Sequence, residues 1–301
     1  IRLFQPLPAF SDAIVLDFSA LTDGAGNPLI SLSPSYDTSL YPQSDGIELA
    51  GSFLRFGYVP HGSVIRGLSI TGFPGSGICA MSDSNIIQRN VITGNGGHGI
   101  CIEDANGNTV GSFLNSPLLI DGNRIYANGL DGVALIDVNA HDAVPPPAGN
   151  TILGNAIYGN GKLGIDHGGD GLVTANRYPG GPTNPLVRPG VQDAINYHVN
   201  YPSVNIATAA GAQPSHVQGY LLGWRSTQFR IEAFLNDVAD PSGYGEGKTF
   251  IGATSVVTDA DSAYAWFDIT SAVPLQLGQC VSVTATDQGG NSSEFSQNLP
   301  V

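Results

Sequence analysis

Short apolar runs, broken by glycine and asparagine, recur along the first half of the chain. The stretch 84–104, SNIIQRNVITGNGGHGICIED, contains three such runs within 21 residues. None is long enough for a helix, and β-branched residues bounded by turn residues predict short strands. Equivalent isoleucines follow at steps of 22, 33 and 32 residues, at Ile70, Ile92, Ile125 and Ile157. The spacing indicates a repeat of about 22 residues with insertions of about ten residues, which we place at 103–119 and 137–151.

A repeat this short, rich in glycine and β-branched residues, leaves no room for a helix and predicts a β-solenoid with about three strands per coil. Equivalent residues then stack about 4.8 Å apart, and the isoleucine column fills the interior. Stacked asparagine amides can hydrogen-bond to one another and to the turn backbone. The predicted asparagine columns are Asn90, Asn123 and Asn155, and Asn95, Asn128 and Asn160, beside the turn glycines Gly99, Gly132 and Gly164.

The pattern changes from about Ile206 onwards. Alternating apolar and polar residues at 228–235, 249–257, 263–269 and 280–286, with turn residues between them, predict an antiparallel β-sandwich. We therefore divide the chain into a solenoid over 1–205 and a sandwich over 206–301. The segment from about 171 to 205 loses the repeat and is predicted to be a cap and linker, because a solenoid end is an exposed sheet edge.

Charge narrows the classes of partner. The net charge is −14 with only two lysines, so nucleic acids and anionic membrane surfaces are excluded as expected partners. A polyuronate would also be repelled unless calcium intervened. No run of 18 apolar residues is present, so we expect no membrane insertion.

The three cysteines are too few for a disulfide scaffold. Cys79 and Cys101 occupy equivalent positions on successive coils, between inward-facing neighbours, so the two sulfurs are expected side by side on the outer face. A bridge and a pair of reduced thiols both stay open. Cys280 is expected to pack as a small apolar residue.

The coils resemble the right-handed parallel β-helix repeats of the pectate-lyase-like superfamily. The segments 151–166, 240–252 and 284–296 also resemble secreted bacterial surface proteins that begin with a CSLREA-type segment and carry an immunoglobulin-like C-terminal β domain. This resemblance implies an all-β fold, with a right-handed parallel β-helix followed by a small antiparallel β-sandwich. It further implies an extracellular or cell-surface location and processing from a longer precursor. Most proteins of that kind have no assigned activity, so the chemistry has to be argued from residues.

Acid and histidine side chains gather at the end of the last coil, in Asp166, His167 and Asp170. Two carboxyl groups flanking one sugar bond are the minimum for glycoside hydrolysis, so these are the candidate catalytic residues. His98 lies in a Gly-His-Gly sequence that resembles one found in polygalacturonases, which also need paired aspartates on adjacent coils. No acid/base set spread across adjacent coils is evident. The pair at 141–142, His-Asp, is a further candidate on the second insertion.

Two other kinds of binding site are predicted. Tyr126 and Tyr158 fall one coil apart and point outward, which suits a platform for sugar rings. Oxygen-rich turns of the sandwich suit calcium, although the fold requires no cofactor. The candidate calcium ligands are Asp240, Glu246, Asp259, Asp261 and Asp287.

The interpretation that these patterns favour is a secreted or cell-surface structural or adhesive β-helix protein. Its partners would be other copies, joined through the solenoid ends by strand addition, or an extracellular glycan. The alternatives are a carbohydrate-active enzyme, either a polysaccharide lyase or a glycoside hydrolase, and a non-catalytic glycan-binding module.

Overall fold

The computed structural model describes residues 1–50, 62–116, 120–138, 146–176, 195–209, 211 and 214–301. The described residues form strands and two short 3₁₀ helices, Thr38–Leu40 and Ile195–His198. None of the described helices has the length and apolar character that crossing a membrane requires. The all-β prediction is therefore confirmed.

Sixteen strands make up the N-terminal part of the described chain. They are β1 (Arg2–Leu3), β2 (Val15–Asp17), β3 (Ile30–Pro34), β4 (Ile47–Leu49), β5 (Val64–Arg66), β6 (Leu68–Thr71), β7 (Ile78–Ala80), β8 (Ile86–Gln88), β9 (Val91–Thr93), β10 (Ile100–Glu103), β11 (Thr109–Gly111), β12 (Arg124–Tyr126), β13 (Val133–Ile136), β14 (Thr151–Leu153), β15 (Ala156–Tyr158) and β16 (Ile165–His167).

These strands form three parallel sheets that each take one strand from every coil. Their orders are β1-β3-β6-β9-β12-β15, β4-β7-β10-β13-β16 and β2-β5-β8-β11-β14. Ile70 pairs with Ile92, and the register continues through Ile125 to Ile157. All four side chains are at most 1% exposed and belong to one apolar core. The predicted isoleucine column and the β-helix it implies are confirmed.

The predicted asparagine columns are ladders of hydrogen-bonded amides. Asn95 Nδ2 donates to Asn128 Oδ1 over 3.0 Å, and Asn128 Nδ2 donates to Asn160 Oδ1 over 3.0 Å. Each Oδ1 also accepts the backbone N–H of the asparagine on the preceding coil. The second amide hydrogen of Asn128 goes to the carbonyl of Ile92. The amides thus satisfy buried backbone at the turns, where no sheet partner exists.

A third ladder was missed from the sequence. It runs through Asn85, Asn108, Asn150 and Asn196. The spacing of its members is 23, 42 and 46 residues. Insertions of different length between the coils therefore hid this column from a search for one period.

The first insertion is shorter than predicted. Strand β11 lies inside the predicted insertion 103–119 and pairs in register with β8 and β14. The extra residues therefore follow this strand and precede β12. The prediction was wrong because the apolar run of β11 has only one isoleucine-like residue, Val110, and resembles a loop.

The column of turn glycines is required by close backbone approach. A Cβ on Gly99 would lie 2.6 Å from the carbonyl oxygen of Gly132 and 2.4 Å from a methyl group of Ile125. Gly132 meets Gly164 and Ile157 in the same way. Any larger residue would therefore force the coils apart.

Seven antiparallel strands follow. They are β17 (Ser203–Ala207), β18 (His216–Leu222), β19 (Gln228–Asn236), β20 (Thr249–Val257), β21 (Tyr264–Thr270), β22 (Cys280–Asp287) and β23 (Leu299–Pro300).

They form two antiparallel sheets, in the orders β17-β18-β21 and β20-β19-β22-β23. One apolar core contains side chains from both sheets, among them Val217 and Phe267 from the first and Ile231 and Val283 from the second. The predicted sandwich strands agree with the observed ones to within two residues. The first sheet begins at Ser203, and the division of the chain at 205/206 stays a prediction.

The sandwich is joined to the last coil of the β-helix by backbone and by buried acids. Ile157 and Gly247 exchange two backbone hydrogen bonds of 2.8 and 2.7 Å. Glu246 ends the second asparagine ladder, since its Oε1 accepts from the Asn160 side chain over 2.9 Å. Phe295 packs into the same core cluster as the isoleucine column. Residues of the sandwich therefore cover this end of the β-helix.

Part of the predicted cap also takes part in this closure. Asn196 ends the third ladder, and its amide donates to the carbonyl of Ser292 in the sandwich over 3.1 Å. The residues 177–194, which make up most of the predicted cap, lie outside the described residues.

We predict that Asn128→Ala lowers the free energy of unfolding by about 3 kcal/mol, because at least two buried hydrogen-bonding groups lose their partner. Equilibrium unfolding in urea measures the change. The matched control is Asn115→Ala, since Asn115 is exposed. An effect of the same size in both variants would show that the ladder does not stabilise the coils.

Candidate functional site

The outer face of the sheet β4-β7-β10-β13-β16 carries Asp166 and the two cysteines of the β-helix, which the sequence singled out. Its central outward column, in register, is Glu48, Cys79, Cys101, Ala134 and Asp166. Side chains alternate between the two faces of a strand, so this column lies opposite the isoleucines of the core. We refer to it below as the outer column.

Asp166 ends the outer column and is fully buried. Its Oδ2 accepts the N–H of Gly171 over 2.6 Å, whereas its Oδ1 has no hydrogen-bond partner among the described residues. Burial raises the pKa of Asp166 to about 7, and the charges of Asp131 and Asp170 add to the rise. This carboxyl group is therefore able to hold a proton near neutral pH.

His167 follows Asp166 but faces the opposite way. It pairs with Leu135 in the inward column, its backbone N–H donates to Glu294 over 2.9 Å, and its side chain is 8% exposed. Burial lowers the pKa of His167 to about 3, with a further contribution from His198. Asp166 and His167 therefore do not form the predicted acid–base pair.

A different acid and histidine set spans adjacent coils. His98 Nδ1 lies 3.1 Å from Asp131 Oδ2, and Asp131 is close enough to Asp166 to raise its pKa. The expectation that no such set exists was wrong, because Asp131 is separated from both partners by more than 30 residues. His98, Asp131 and Asp166 are at most 8% exposed, so in the described residues the set has no open cleft beside it. The pair at 141–142 lies outside the described residues.

The middle of the outer column holds two thiols. Cys79 and Cys101 are free, buried and paired in register. Their sulfur atoms and a carboxylate oxygen of Glu103 lie within 4.8 Å of one another. The predicted neighbouring sulfurs are therefore present, in the reduced form. The sequence missed Glu103, although it stands two residues after Cys101 on the same face.

Tyr126 and Tyr158 stack on each other, with ring centroids 4.9 Å apart and planes inclined by 2°. Arg124 lies over the Tyr126 ring and Lys248 over the Tyr158 ring. The faces of both rings are therefore occupied and mainly their edges reach solvent. This arrangement does not favour the sugar platform predicted there.

A second aromatic group, which the sequence did not indicate, stands on the three-stranded sheet of the sandwich. Trp266 is 73% exposed, and its ring centroid lies 5.3 Å from that of Tyr220, with the planes inclined by 57°. Tyr220 lies 5.5 Å from Tyr264. We call these three residues the aromatic face. Since the rings are tilted rather than stacked, flat ring surface stays open to solvent.

Hydrogen-bonding groups border the aromatic face. Asp268, two residues beyond Trp266 on the same side of β21, accepts hydrogen bonds of 2.7 Å from Gln218 Nε2 and from His216 Nδ1. The hydrogen bond from His216 lowers the pKa of Asp268, and Gln218 contributes to the same effect. The carboxylate is therefore held ionised and fixed in position beside the exposed indole.

The candidate calcium ligands are not brought together. Within the described residues, three potential ligand atoms lie within 4.8 Å of one another at Cys79, Cys101 and Glu103, and none of the five acids belongs to such a group. Asp259 and Asp287 accept hydrogen bonds from their own turns. Asp240 does the same with Ser242, and Glu246 is bound to Asn160. Asp261 stands in the turn of Asp259, to whose carboxylate its N–H donates. Calcium at these positions stays a prediction.

Comparison with known proteins agrees with the β-helix. Residues 37–178 match a family model described as a right-handed β-helix region. The matched range covers coils from the 3₁₀ helix at Thr38–Leu40 to the end of β16 and stops before the sandwich. No curated protein matches the chain.

The acids that join the sandwich to the β-helix predict a dependence of stability on pH. Burial raises the pKa of Glu294 to about 8, although its carboxylate accepts the N–H groups of His167 and Thr174. Folded Glu294 therefore holds its proton more tightly than the unfolded chain does. Its contribution to stability is fully present below its ordinary pKa of 4.5 and is lost as the pH rises through about 8.

We expect the free energy of unfolding to decline as the pH rises from about 5 to about 8, and Glu294→Gln to make that decline shallower, because the amide cannot ionise. Urea unfolding at several pH values measures both slopes. The control is Asp259→Asn. Hydrogen bonds from Ser262 lower the pKa of Asp259 below its ordinary value of 3.8, so this residue changes stability only at more acidic pH. A wild-type slope unchanged by Glu294→Gln would contradict the assignment.

Proposed function

We propose that the chain is an extracellular adhesive protein in which a rigid β-helix presents a C-terminal sandwich that binds neutral glycans. The observation that carries the proposal is the aromatic face, with Trp266 exposed to 73% on a regular sheet. Isolated apolar residues on a surface need no explanation, whereas three clustered aromatic rings mark a binding surface.

The chemistry of the aromatic face suits a sugar ring. Pyranose rings have an apolar face of C–H groups that packs on aromatic rings, and hydroxyl groups at their rim that need hydrogen-bond partners. Trp266 and Tyr220 supply the aromatic rings for packing. Asp268 and Gln218 supply hydrogen-bond partners for the hydroxyl groups. Because Asp268 is already held by two donors, it can accept from a hydroxyl without reordering.

The charge of the chain selects the type of glycan. A net charge of −14 and an ionised Asp268 beside the rings disfavour uronates and sulfated glycans. A neutral polysaccharide avoids this repulsion. We therefore infer that the ligand is uncharged.

The β-helix supports the proposed role through its rigidity. Three asparagine ladders run along it, and the ends of two of them are bound to the sandwich through Glu246 and Asn196. A binding surface on such a base keeps its orientation relative to the rod, as an adhesive protein at a cell surface requires.

Assembly of copies through a solenoid end is the second part of the proposal. In the described residues, β1 and β2 each end their sheet, with a free strand edge. Phe4 and Val15 beside them are 83% and 70% exposed. An exposed strand edge flanked by apolar side chains favours strand addition by a second copy.

A carbohydrate-active enzyme is the alternative, and it is favoured by Asp166 Oδ1, which has no hydrogen-bond partner in the part of the chain that the structure describes. A buried carboxyl with a pKa near 7, beside Asp131 and Asp170, has the properties of a general acid. Catalysis would require the group to become accessible, because Asp166 is fully buried.

We predict that Trp266→Ala and Tyr220→Ala each weaken binding of a neutral glycan by about tenfold or more, because each removes a ring on which the sugar packs. The probes are a soluble β-glucan, a mannan and, as an acidic comparison, polygalacturonate, measured by titration calorimetry. Tyr158→Ala is the matched control and is expected to leave affinity unchanged. Equal losses in Tyr158→Ala and Trp266→Ala, or binding of polygalacturonate alone, would refute the proposal.

The enzymatic alternative is tested on the same glycans by assaying new reducing ends and unsaturated products. We expect no turnover. The result that would contradict adhesion is turnover that is lost in Asp166→Asn and kept in Trp266→Ala. Catalysis would then be the function.

Assembly is tested by sedimentation at increasing protein concentration. We expect oligomers that Phe4→Ser reduces, because the substitution removes apolar surface beside the edge of β1. The exposed Leu277, on the sandwich, provides the control Leu277→Ser. Wild-type chain that stays monomeric throughout would remove assembly from the proposal and leave glycan binding unaffected.

A further inference from the structure

The thiol pair in the outer column is built differently from the structural cysteine of the sandwich. Cys79 and Cys101 stand on neighbouring strands in register. Cys101 Sγ donates to Glu103 Oε1 over 3.3 Å. Cys280 lies far from both, in β22, and has only weak contacts with Asn236 and Asn298.

Carboxylates gather around these thiols. Glu103, Asp45 and Glu48 lie close enough to Cys79 to act on it electrostatically. Burial raises the pKa of Asp45 to about 6, and the charges of Glu48 and Glu103 add to the rise. Among the described residues, no lysine or arginine forms an ion pair with these three acids.

Such an arrangement is unfavourable by itself. Three acids stand close together beside the two thiols and repel one another. One divalent cation would neutralise the group and stabilise both thiolates. The ligand atoms of Cys79, Cys101 and Glu103 already lie within 4.8 Å of one another, close enough to converge on a single ion.

We propose that Cys79, Cys101 and Glu103 bind one thiophilic divalent metal ion, Zn²⁺ in the first place. Two sulfurs and a carboxylate oxygen are ligand types that zinc accepts, and a fourth ligand completes its tetrahedral shell. Water, which completes many zinc sites, is the fourth ligand that we expect here. Calcium and magnesium are excluded as occupants because they require oxygen ligands.

Binding releases protons in a fixed ratio. Zn²⁺ replaces the proton of each thiol, so that two Zn–S bonds form and two protons leave for the solvent. The carboxylate of Glu103 binds without releasing a proton, since the metal displaces only the hydrogen bond from Cys101. No electrons are transferred, so the site needs no oxidant or reductant.

The test uses the full chain, reduced with a phosphine and freed of metal, and titrated with Zn²⁺ and with Co²⁺. We expect one ion per chain, two protons released per Zn²⁺ in weak buffer at pH 7, and a sulfur-to-cobalt charge-transfer band in the near ultraviolet. Bound zinc should also raise the midpoint of thermal unfolding, because the ion binds the folded chain.

Variants separate this site from unspecific binding. Cys79→Ser and Cys101→Ser should each reduce the charge-transfer intensity per bound cobalt to about half and weaken zinc binding at least about tenfold, and Glu103→Gln should weaken binding while keeping the full band. Cys280→Ser, which removes the remote thiol, should change nothing. Circular dichroism confirms that each variant is folded.

Three results would overturn the proposal. One is a reduced, folded wild-type chain that takes up no zinc. Another is uptake with no proton release. The third is binding that Cys280→Ser reduces as much as Cys79→Ser does. If the isolated chain carries a Cys79–Cys101 disulfide and still takes up no zinc after reduction, the pair is a structural bridge and the proposal fails.

Discussion

The hydrogen bonding of stacked asparagines is the constraint on which this structure depends. Each amide accepts from the coil before it and donates to the coil after it, so its oxygen and nitrogen are both used only if the coils repeat in register. The turn backbone relies on the same amides, because it has no strand partner. A ladder of this kind cannot simply stop, since its last member would leave a buried donor unsatisfied. The structure solves this with the Glu246 carboxylate and with the Asn196 amide, and both are bound to groups of the neighbouring part of the chain. Groups of the sandwich therefore provide the hydrogen-bond partners that a further coil of the β-helix would provide.

The junction between the β-helix and the sandwich buries three carboxyl groups. Glu232, Glu246 and Glu294 are each at most 6% exposed, and burial raises the pKa of all three. Each one accepts backbone N–H groups of the last coils, which would otherwise face the sandwich without a partner. The N–H of Gly154, for example, donates to Glu232. Among the described residues, only Glu232 has a guanidinium within reach, that of Arg230 at 2.9 Å. Buried carboxyl groups thus satisfy backbone N–H groups at this junction. Because these carboxyl groups titrate, the stability of the junction depends on pH.

The sequence predicted those parts of the fold that obey one period. The isoleucine column and two asparagine ladders followed from a repeat of about 22 residues, and the sandwich strands followed from alternation. The third ladder was hidden because the steps between its members vary from 23 to 46 residues. The site was harder to predict for a geometric reason. Adjacent residues such as Asp166 and His167 point to opposite faces of a strand, whereas His98 and Asp131 meet across coils although 33 positions separate them. Only a register, and not a motif, could have brought such residues together.

In-register stacking also decides which surface can bind what. It places like above like at the spacing of neighbouring strands, so Tyr126 and Tyr158 cover each other's faces at 4.9 Å. The antiparallel sheet of the sandwich places Tyr220 opposite Trp266 with tilted planes, which leaves ring surface open to solvent. Stacking hides the faces of aromatic rings from a ligand. For acids and thiols it has the opposite consequence, because it brings their ligand atoms together. Glu48, Cys79 and Cys101 are held one above another with Glu103 beside them. The same register that lets the two tyrosine rings cover each other thus gathers the ligand atoms of the proposed metal site.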